Sequence, residues 1–289
     1  MHKRYEADYV DPEYKSVMHT PAGVEKSPAV AAQSLQNKVA LVTGGGSGLG
    51  RAIARVFARE GATLALADLD ARAAAATLEL AEQADTGLAL SPDLADPAAS
   101  RGAVDAVVER HGRLDILVNC AAICLVDPLL DVTPERWERV FAVNVRGAFF
   151  CMQAAARVMV PRGSGRILQV SSPASKLGFP FFASYAASKA AVDSMVRAAA
   201  VAWGPHGVTV NTIVPGRMTG GMIGRLEEDL ARVTGKSPEE LKAGRTQGLP
   251  MGRRVEPEEV AMAAVWLASD AAAYVTGERF NFTGGMELS

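Results

Sequence analysis

The sequence predicts an α/β fold: a doubly wound, central parallel sheet of about seven strands with helices on both faces, in a single domain. Two observations predict it. From Lys38 onward short apolar runs alternate with longer helical patterns, the order that builds βαβ units. The runs are near-continuous in Val, Leu, Ile and Ala, as strands buried on both faces require. No repeat and no linker interrupts residues 38–289.

Residues 1–36 stand apart. They mix charges and prolines with three of the five tyrosines (Tyr5, Tyr9 and Tyr14) and hold no period of 3.6 or 2. They read as an N-terminal tail, or as an arm that packs on its own domain or on a neighbouring subunit. Residues 37–289 form the domain. Lys38–Thr43 is the first strand and Gly48–Arg59 the first helix. Thr63–Ala67 is the second strand, followed by an Ala-rich helix over Asp70–Ala84. Gly87–Ser91 is the third strand, Asp96–His111 a helix and Leu114–Val118 the fourth strand. Thr133 and Pro134 supply an N-cap and a first-turn proline to a long helical stretch that is interrupted near Val143–Gly147. Arg166–Val170 is the fifth strand, Tyr185–Trp203 a long helix and Val208–Val214 the sixth strand. Glu256–Ala268 is a helix and Arg279–Phe282 a short last strand.

Composition narrows the function classes. The chain has 289 residues, 49% hydrophobic, with net charge −2. No Lys/Arg block is present, which argues against a nucleic-acid partner. Cys120, Cys124 and Cys151 cannot all pair within one chain and have no CxxC spacing, so reduced thiols in a cytosolic protein are expected. No apolar run approaches the roughly 18 residues that span a membrane. Lys3 and Arg4 are followed by acidic and tyrosine residues, unlike a secretory signal. A cytoplasmic protein with a small-molecule substrate is the expectation.

The first strand runs into Thr43-Gly-Gly-Gly-Ser-Gly-Leu-Gly50 and then a helix. Gly44, Gly48 and Gly50 let the backbone turn sharply and approach a pyrophosphate. The helix N-terminus, with its free N–H groups and dipole, favours the negative charge. Asp68 ends the second strand, where a carboxylate accepts hydrogen bonds from adenosine ribose hydroxyls and repels a 2′-phosphate. Ser47 and Leu69 offer no cation for such a phosphate. NAD(H) is therefore expected over NADP(H). Asp68 also suits a helix cap, since it precedes the Asp70 helix.

Tyr185-Ala-Ala-Ser-Lys189 places a phenol and an ammonium on one helix face. A tyrosine titrates near ~10, too high for a proton shuttle at neutral pH, and a nearby ammonium lowers that value. Alone the pair is ordinary helix decoration. Ser171 and Ser172, however, end the fifth strand, at the carboxyl edge where open parallel sheets bind ligands. Ser172 is placed to hydrogen-bond the oxygen that Tyr185 protonates. Asn144, inside an apolar helical pattern, is either a satisfied helix kink or the holder of a proton-relay water.

Thr43–Gly50, Asn144, Ser172, Tyr185 and Lys189 together resemble the short-chain dehydrogenase/reductase family. The resemblance covers residues 36–289. It implies a Rossmann fold, a homotetramer and the catalytic tetrad Asn144, Ser172, Tyr185 and Lys189. By the same resemblance Gly44, Ser47, Gly48, Leu49, Gly50, Asp68, Asn119 and Ala121 contact the cofactor. Asp93 and Leu94 lie at adenine, and Pro215, Gly216 and Thr219 near the nicotinamide amide. Tyr185 and Lys189 contact the cofactor too, Lys189 at the nicotinamide ribose. Tyr185 moves the substrate proton, Lys189 lowers its pKa and Asn144 holds a relay water. Four positions depart from the pattern. Cys120 and Ala122 replace the second Asn and the Gly of Asn-Asn-Ala-Gly, Thr219 stands one place early, and Thr283 replaces an aspartate. A locally adjusted turn is expected after the fourth strand, and no nucleophilic role for Cys120 or Cys124.

Residues 217–252 read as a substrate lid, with apolar Met218, Met222, Ile223 and Leu226, charged Glu227–Asp229, Arg232 and Lys236, and a helix start at Ser237. An ordinary amphipathic helical pair has the same pattern. Phe179, Phe181 and Phe182 suit an apolar pocket wall or a core contact. Lid composition points to polyols, sugars or small hydroxy-ketones. Two rivals are a 3-oxoacyl-thioester reductase using NADPH and a non-catalytic dinucleotide-binding regulator. Asp68 and the absence of a basic patch tell against the first, and the intact tetrad against the second.

Overall fold

The structure is a computed structural model and describes residues 34–220, 223–237, 239–241 and 249–287. The predicted tail lies outside the described residues except at its end. Leu35 is fully buried and its N–H donates to the Glu60 carbonyl, 2.9 Å away. Ser34 donates to the Glu60 carboxylate through both its N–H and its hydroxyl. The folded domain therefore begins before residue 37.

Seven parallel strands form one sheet in the order β3-β2-β1-β4-β5-β6-β7. They are β1 Val39–Thr43, β2 Thr63–Ala67, β3 Leu88–Leu90, β4 Ile116–Asn119, β5 Gly165–Val170, β6 Val208–Pro215 and β7 Arg279–Phe282. The helices are α1 Gly48–Arg59, α2 Ala71–Leu80, α3 Pro97–His111, α4 Pro134–Phe141, α5 Ala148–Met159, α6 Ala183–Trp203, α7 Ile223–Thr234 and α8 Pro257–Ala268. The order reverses between β1 and β4, which opens a crevice at their carboxyl ends.

The continuous apolar strands follow from burial on both faces. Along β1, Ala40 and Val42 point into a core with Ile53 and Phe57 of α1 and Val260 and Ala264 of α8. Val39 and Leu41 point the other way, among Val104, Met152, Met159 and Val196. Each fully buried Leu, Ile, Met or Phe side chain contributes about 1.5–3 kcal/mol relative to exposure.

Local chemistry sets the helix ends. Asp70 caps α2 by accepting from the N–H groups of Arg72 and Ala73. That helix stops at Leu80, short of the predicted Ala84. Glu82 is left-handed (φ 57°), and the Gln83 amide bridges the β2 entrance by accepting from Leu64 N–H and donating to the Ala62 carbonyl. Asp96 and Pro97 start α3, and Gly112 ends it with φ 73°. Thr133 caps α4. The interruption near Val143 is a π-helical segment over Ala142–Gly147, between α4 and α5. Among the described residues no helix is long and apolar enough to cross a membrane.

Candidate active site

At the carboxyl edge of the sheet lies a cavity of about 810 Å³. Its floor begins at the glycine turn. The Thr43 hydroxyl ties β1 to the end of β4, accepting from the N–H groups of Cys120 (3.1 Å) and Ala121 (3.2 Å). Gly44 and Gly48 are left-handed, at φ 67° and 51°, a conformation that side chains resist. A Cβ on Gly44 would meet the Ala121 backbone at 2.9 Å, and one on Gly50 would sit 2.1 Å from the Gly44 carbonyl oxygen. Ser47, the N-cap of α1, accepts no side-chain cap hydrogen bond. The first-turn N–H groups and the helix dipole are thus presented at the cavity. Gly44, Ser47, Gly48, Leu49 and Gly50 all line it.

Asp68 also lines it, at the end of β2. Its Oδ2 accepts from Gly46 N–H at 2.9 Å and its Oδ1 from Asp70 N–H at 3.0 Å. Asp68 thus braces the loop, while the cap of α2 is Asp70 rather than Asp68, and each Asp68 oxygen keeps a second lone pair. Arg51 is turned away, bonded to the Gly46 carbonyl and to Thr77. Beyond β3, Asp93 and Leu94 line the cavity, Asp93 accepting from Ala95 N–H. Ala121, Pro215, Gly216 and Thr219 close the remaining side. The Thr219 hydroxyl is held by the Glu256 carboxylate. This cradle fits a dinucleotide: two glycines pack backbone on backbone in the turn with no room for a side chain, free helix N–H groups can meet phosphate, and a carboxylate stands at the end of β2.

Ser172, Tyr185 and Lys189 face the same cavity. Tyr185 and Lys189 lie one turn apart on α6, with the Lys189 ammonium 5.6 Å from the phenol ring centre. Ser172 follows β5 and accepts from Ala174 N–H at 3.2 Å, and its hydroxyl acts on the Tyr185 phenol by lowering its pKa. Lys189 Nζ donates to the Val170 carbonyl at 2.7 Å.

The electrostatic balance differs from the sequence expectation. Lys189 was expected to hold the phenol below its ordinary range. Burial, with the Cys124 thiol beside it, instead pushes Tyr185 above that range, and the Ser172 hydroxyl only partly opposes this. Burial pushes Lys189 down to about 8, against the pull of Cys120 and Asp193. Desolvation outweighs the pair's attraction because both groups are enclosed.

Two expected site residues, the cofactor contact Asn119 and the catalytic Asn144, lie behind the wall. Asn119 is buried, bonded to the Thr43 hydroxyl and the Ala148 carbonyl. Asn144 is also buried: its Oδ1 accepts from Ile123 N–H, and its Nδ2 donates to the Ile123 carbonyl and the Ser188 hydroxyl. Of the two readings of Asn144, the satisfied kink describes the side chain. Neither residue lines the cavity, because their amides are spent on the frame.

Phe179 and Phe182 form a wall, in edge contact at 6.1 Å. Leu226, Leu230, Lys236, Glu240 and Leu241 of the predicted lid also line the cavity. Ser237 and Glu240 cap each other's backbone N–H groups. Met222 and residues 242–248 lie outside the described residues. The sequence reading missed Arg139 and Met286 as liners. Neither carries a local motif, and only the fold brings them to the site. Burial pushes the Cys120 thiol up to about 11 and Cys124 up to about 12, which disfavours the reactive thiolate.

A family model described as enoyl-(acyl carrier protein) reductase matches residues 44–287. A short-chain dehydrogenase/reductase of Armillaria gallica is 37% identical over 255 residues, covering 87% of this chain and 96% of that one. The chain belongs to the short-chain dehydrogenase/reductase family of oxidoreductases. Galactitol 2-dehydrogenase of Agrobacterium fabrum (strain C58) is 38% identical over 256 residues, covering 88% of this family member and 99% of that enzyme. The crystal structure of an NAD+-bound xylitol dehydrogenase superposes with TM-score 0.83 at 31% identity, over 86% of this chain and 99% of that one.

Proposed function

We propose that this short-chain dehydrogenase/reductase interconverts a secondary alcohol of the polyol, sugar or small hydroxy class and its ketone, using NAD(H). The observation that carries the reading is the convergence of Ser172, Tyr185 and Lys189 on the cavity that the glycine turn opens. Galactitol 2-dehydrogenase and xylitol dehydrogenase, named for polyols, support the substrate class.

Bound NAD(H) supplies the hydride and, when oxidised, a positive charge. Gly44–Gly50 and Asp68 would hold its pyrophosphate and adenosine ribose, and Pro215, Gly216 and Thr219 its far end. Ser172 and Tyr185, which line the same cavity, receive the substrate oxygen between their hydroxyls. Tyr185 donates the proton to a ketone oxygen or accepts it from an alcohol. Lys189, enclosed beneath the phenol, provides the cation that phenolate formation needs. With the Asn144 side chain spent, Asn144 serves the proton path by fixing the kink beside Ser188. Residues 217–252 act as the lid, and Asp68 sets the preference for NAD(H). The same reading takes the enzyme to be cytoplasmic and homotetrameric.

Tyr185→Phe tests the reading. Turnover, followed as nicotinamide absorbance over a panel of polyols and ketones, should fall by about 10²–10⁴-fold, the usual range for a lost general acid/base. NADH binding by fluorescence should persist. Retained turnover would overturn the proton-transfer assignment. Turnover confined to NADPH and 3-oxoacyl thioesters would overturn the substrate class.

A further inference from the structure

Beneath the Ser172 turn lies a buried charge cluster that the mechanism does not use. At its centre is Arg279 of β7, whose side chain is 14% exposed. Its Nε donates to Asp193 Oδ2 of α6 at 3.0 Å. Its Nη1 donates to Asn281 Oδ1 at 2.7 Å and to the Glu287 carboxylate. Its Nη2 donates to Glu287 Oε2 at 3.0 Å, to the Ser175 hydroxyl at 3.0 Å and to the Ser172 carbonyl at 3.2 Å. Ser175 closes the ring by donating to Asp193 at 2.7 Å, and Lys176 stands 3.6 Å from Glu287. Two cations thus balance two carboxylates.

This arrangement exceeds what charge pairing needs. A guanidinium is a rigid planar fork, and one prong of this fork ends on the backbone of Ser172, which lines the cavity with Tyr185. The other prongs grip α6, which carries Tyr185 and Lys189, and the C-terminal segment, where Met286 lines the cavity next to Glu287. We propose that Arg279 is a positioning residue, holding the Ser172 turn in register with α6 and with the Met286 wall. The proposal rests on the role given to Ser172 above.

Arg279→Lys keeps the charge between Asp193 and Glu287 but loses the fork that reaches the Ser172 carbonyl. The test measures kcat, KM and NADH affinity for wild type, Arg279→Lys, Ser172→Ala and the double variant. The assay uses NAD+ and the polyol that wild type oxidises fastest. Arg279→Lys should lower kcat by tenfold or more and leave the KM for NAD+ and NADH binding within about twofold. In the Ser172→Ala background the same change should cost less than about twofold, since the group it positions is gone. Unchanged kcat in Arg279→Lys, or an equal loss in both backgrounds, overturns the proposal. Wild-type turnover in Ser172→Ala would instead overturn the reading of Ser172. Should Arg279→Lys fail to fold, Ser175→Ala removes one contact of the cluster and leaves both carboxylates paired. A kcat loss of about threefold that vanishes in the Ser172→Ala background supports the proposal, and unchanged kcat overturns it.

Discussion

Replacing Gly50 by alanine adds one methyl group at the tightest point of the cofactor cradle. The new carbon would lie 2.1 Å from the Gly44 carbonyl oxygen, more than about 1 Å inside van der Waals contact. The obstacle is backbone and has no room to retreat. Gly44 is left-handed, and its own Cβ direction is closed by Ala121 at 2.9 Å. The start of α1 must therefore move outward by roughly 1 Å, which overpacking data place at about 1–3 kcal/mol. For a domain of this size each kcal/mol shifts Tm by about 2–4 °C, so calorimetry should show a loss of roughly 2–12 °C. The displaced N–H groups should weaken NADH binding by about tenfold or more, because misplacement by ~1 Å costs up to 10²-fold at a preorganised site. Gly102→Ala is the control. Gly102 lies within α3 with nothing within 4 Å of its Cβ position, so the change should stabilise by about 0.5–1 kcal/mol and leave NADH binding unchanged. A Gly50→Ala protein that melts with wild type and binds NADH equally well would refute the steric reasoning.

Two further outcomes follow from the site. Burial holds Lys189 near 8, below its ordinary 10.5. An ammonium so depressed costs stability in full below pH 8, and the cost fades as pH rises from 8 towards 10.5, above which both folded and unfolded states are neutral. Lys189→Met should therefore be more stable than wild type at pH 7, by no more than about 3 kcal/mol, and lose most of that advantage by pH 10.5. Thermal melts at the two pH values check this, and turnover should be lost at both. Asp68→Asn removes the charge that opposes a 2′-phosphate while keeping an oxygen acceptor for the turn. The ratio of kcat/KM for NAD+ over NADP+ should fall by about tenfold or more, and an unchanged ratio would remove Asp68 from coenzyme selection.

The strands and most helix limits were legible because their signals are local. Val39–Val42 is continuously apolar, Gly48 opens a helix after a glycine turn, and Thr133-Pro134 is a cap that the fold uses as such. The end of α2 was not legible, since Gln83 leaves the helix to bond the β2 backbone, a partner remote in sequence. Within the site, residues carried by a motif were found and those brought in by topology were not. Arg139 and Met286 lie in segments with no pattern of their own. Asn119 and Asn144 were recognised as important, but spacing could not say whether an amide faces the cavity or the frame. The sign of the Tyr185 shift was illegible for a related reason: i,i+4 spacing shows the cation but not the burial that opposes it.

The π-helical segment shows how frame and site constrain one another. A wide turn at Ala142–Gly147 disturbs regular α-helical hydrogen bonding, at a cost of the order of 1 kcal/mol per bond lost. Asn144 offsets it with three hydrogen bonds, two to the Ile123 backbone and one to Ser188. Ser188 in turn donates to the Tyr185 carbonyl at 2.7 Å, so the kink is bonded directly into the helix turn that carries the phenol and the ammonium. The segment ends at Gly147, where a Cβ would lie 2.2 Å from the Leu94 carbonyl oxygen. That approach sets the loop after β3, with Asp93 and Leu94, against the other end of the cavity. A regular helix would move Asn144 relative to Ser188 and Gly147 relative to Leu94 together. The interruption therefore sets the spacing between the Asp93–Leu94 end and the Tyr185–Lys189 end of one cavity, although neither Asn144 nor Gly147 lines it.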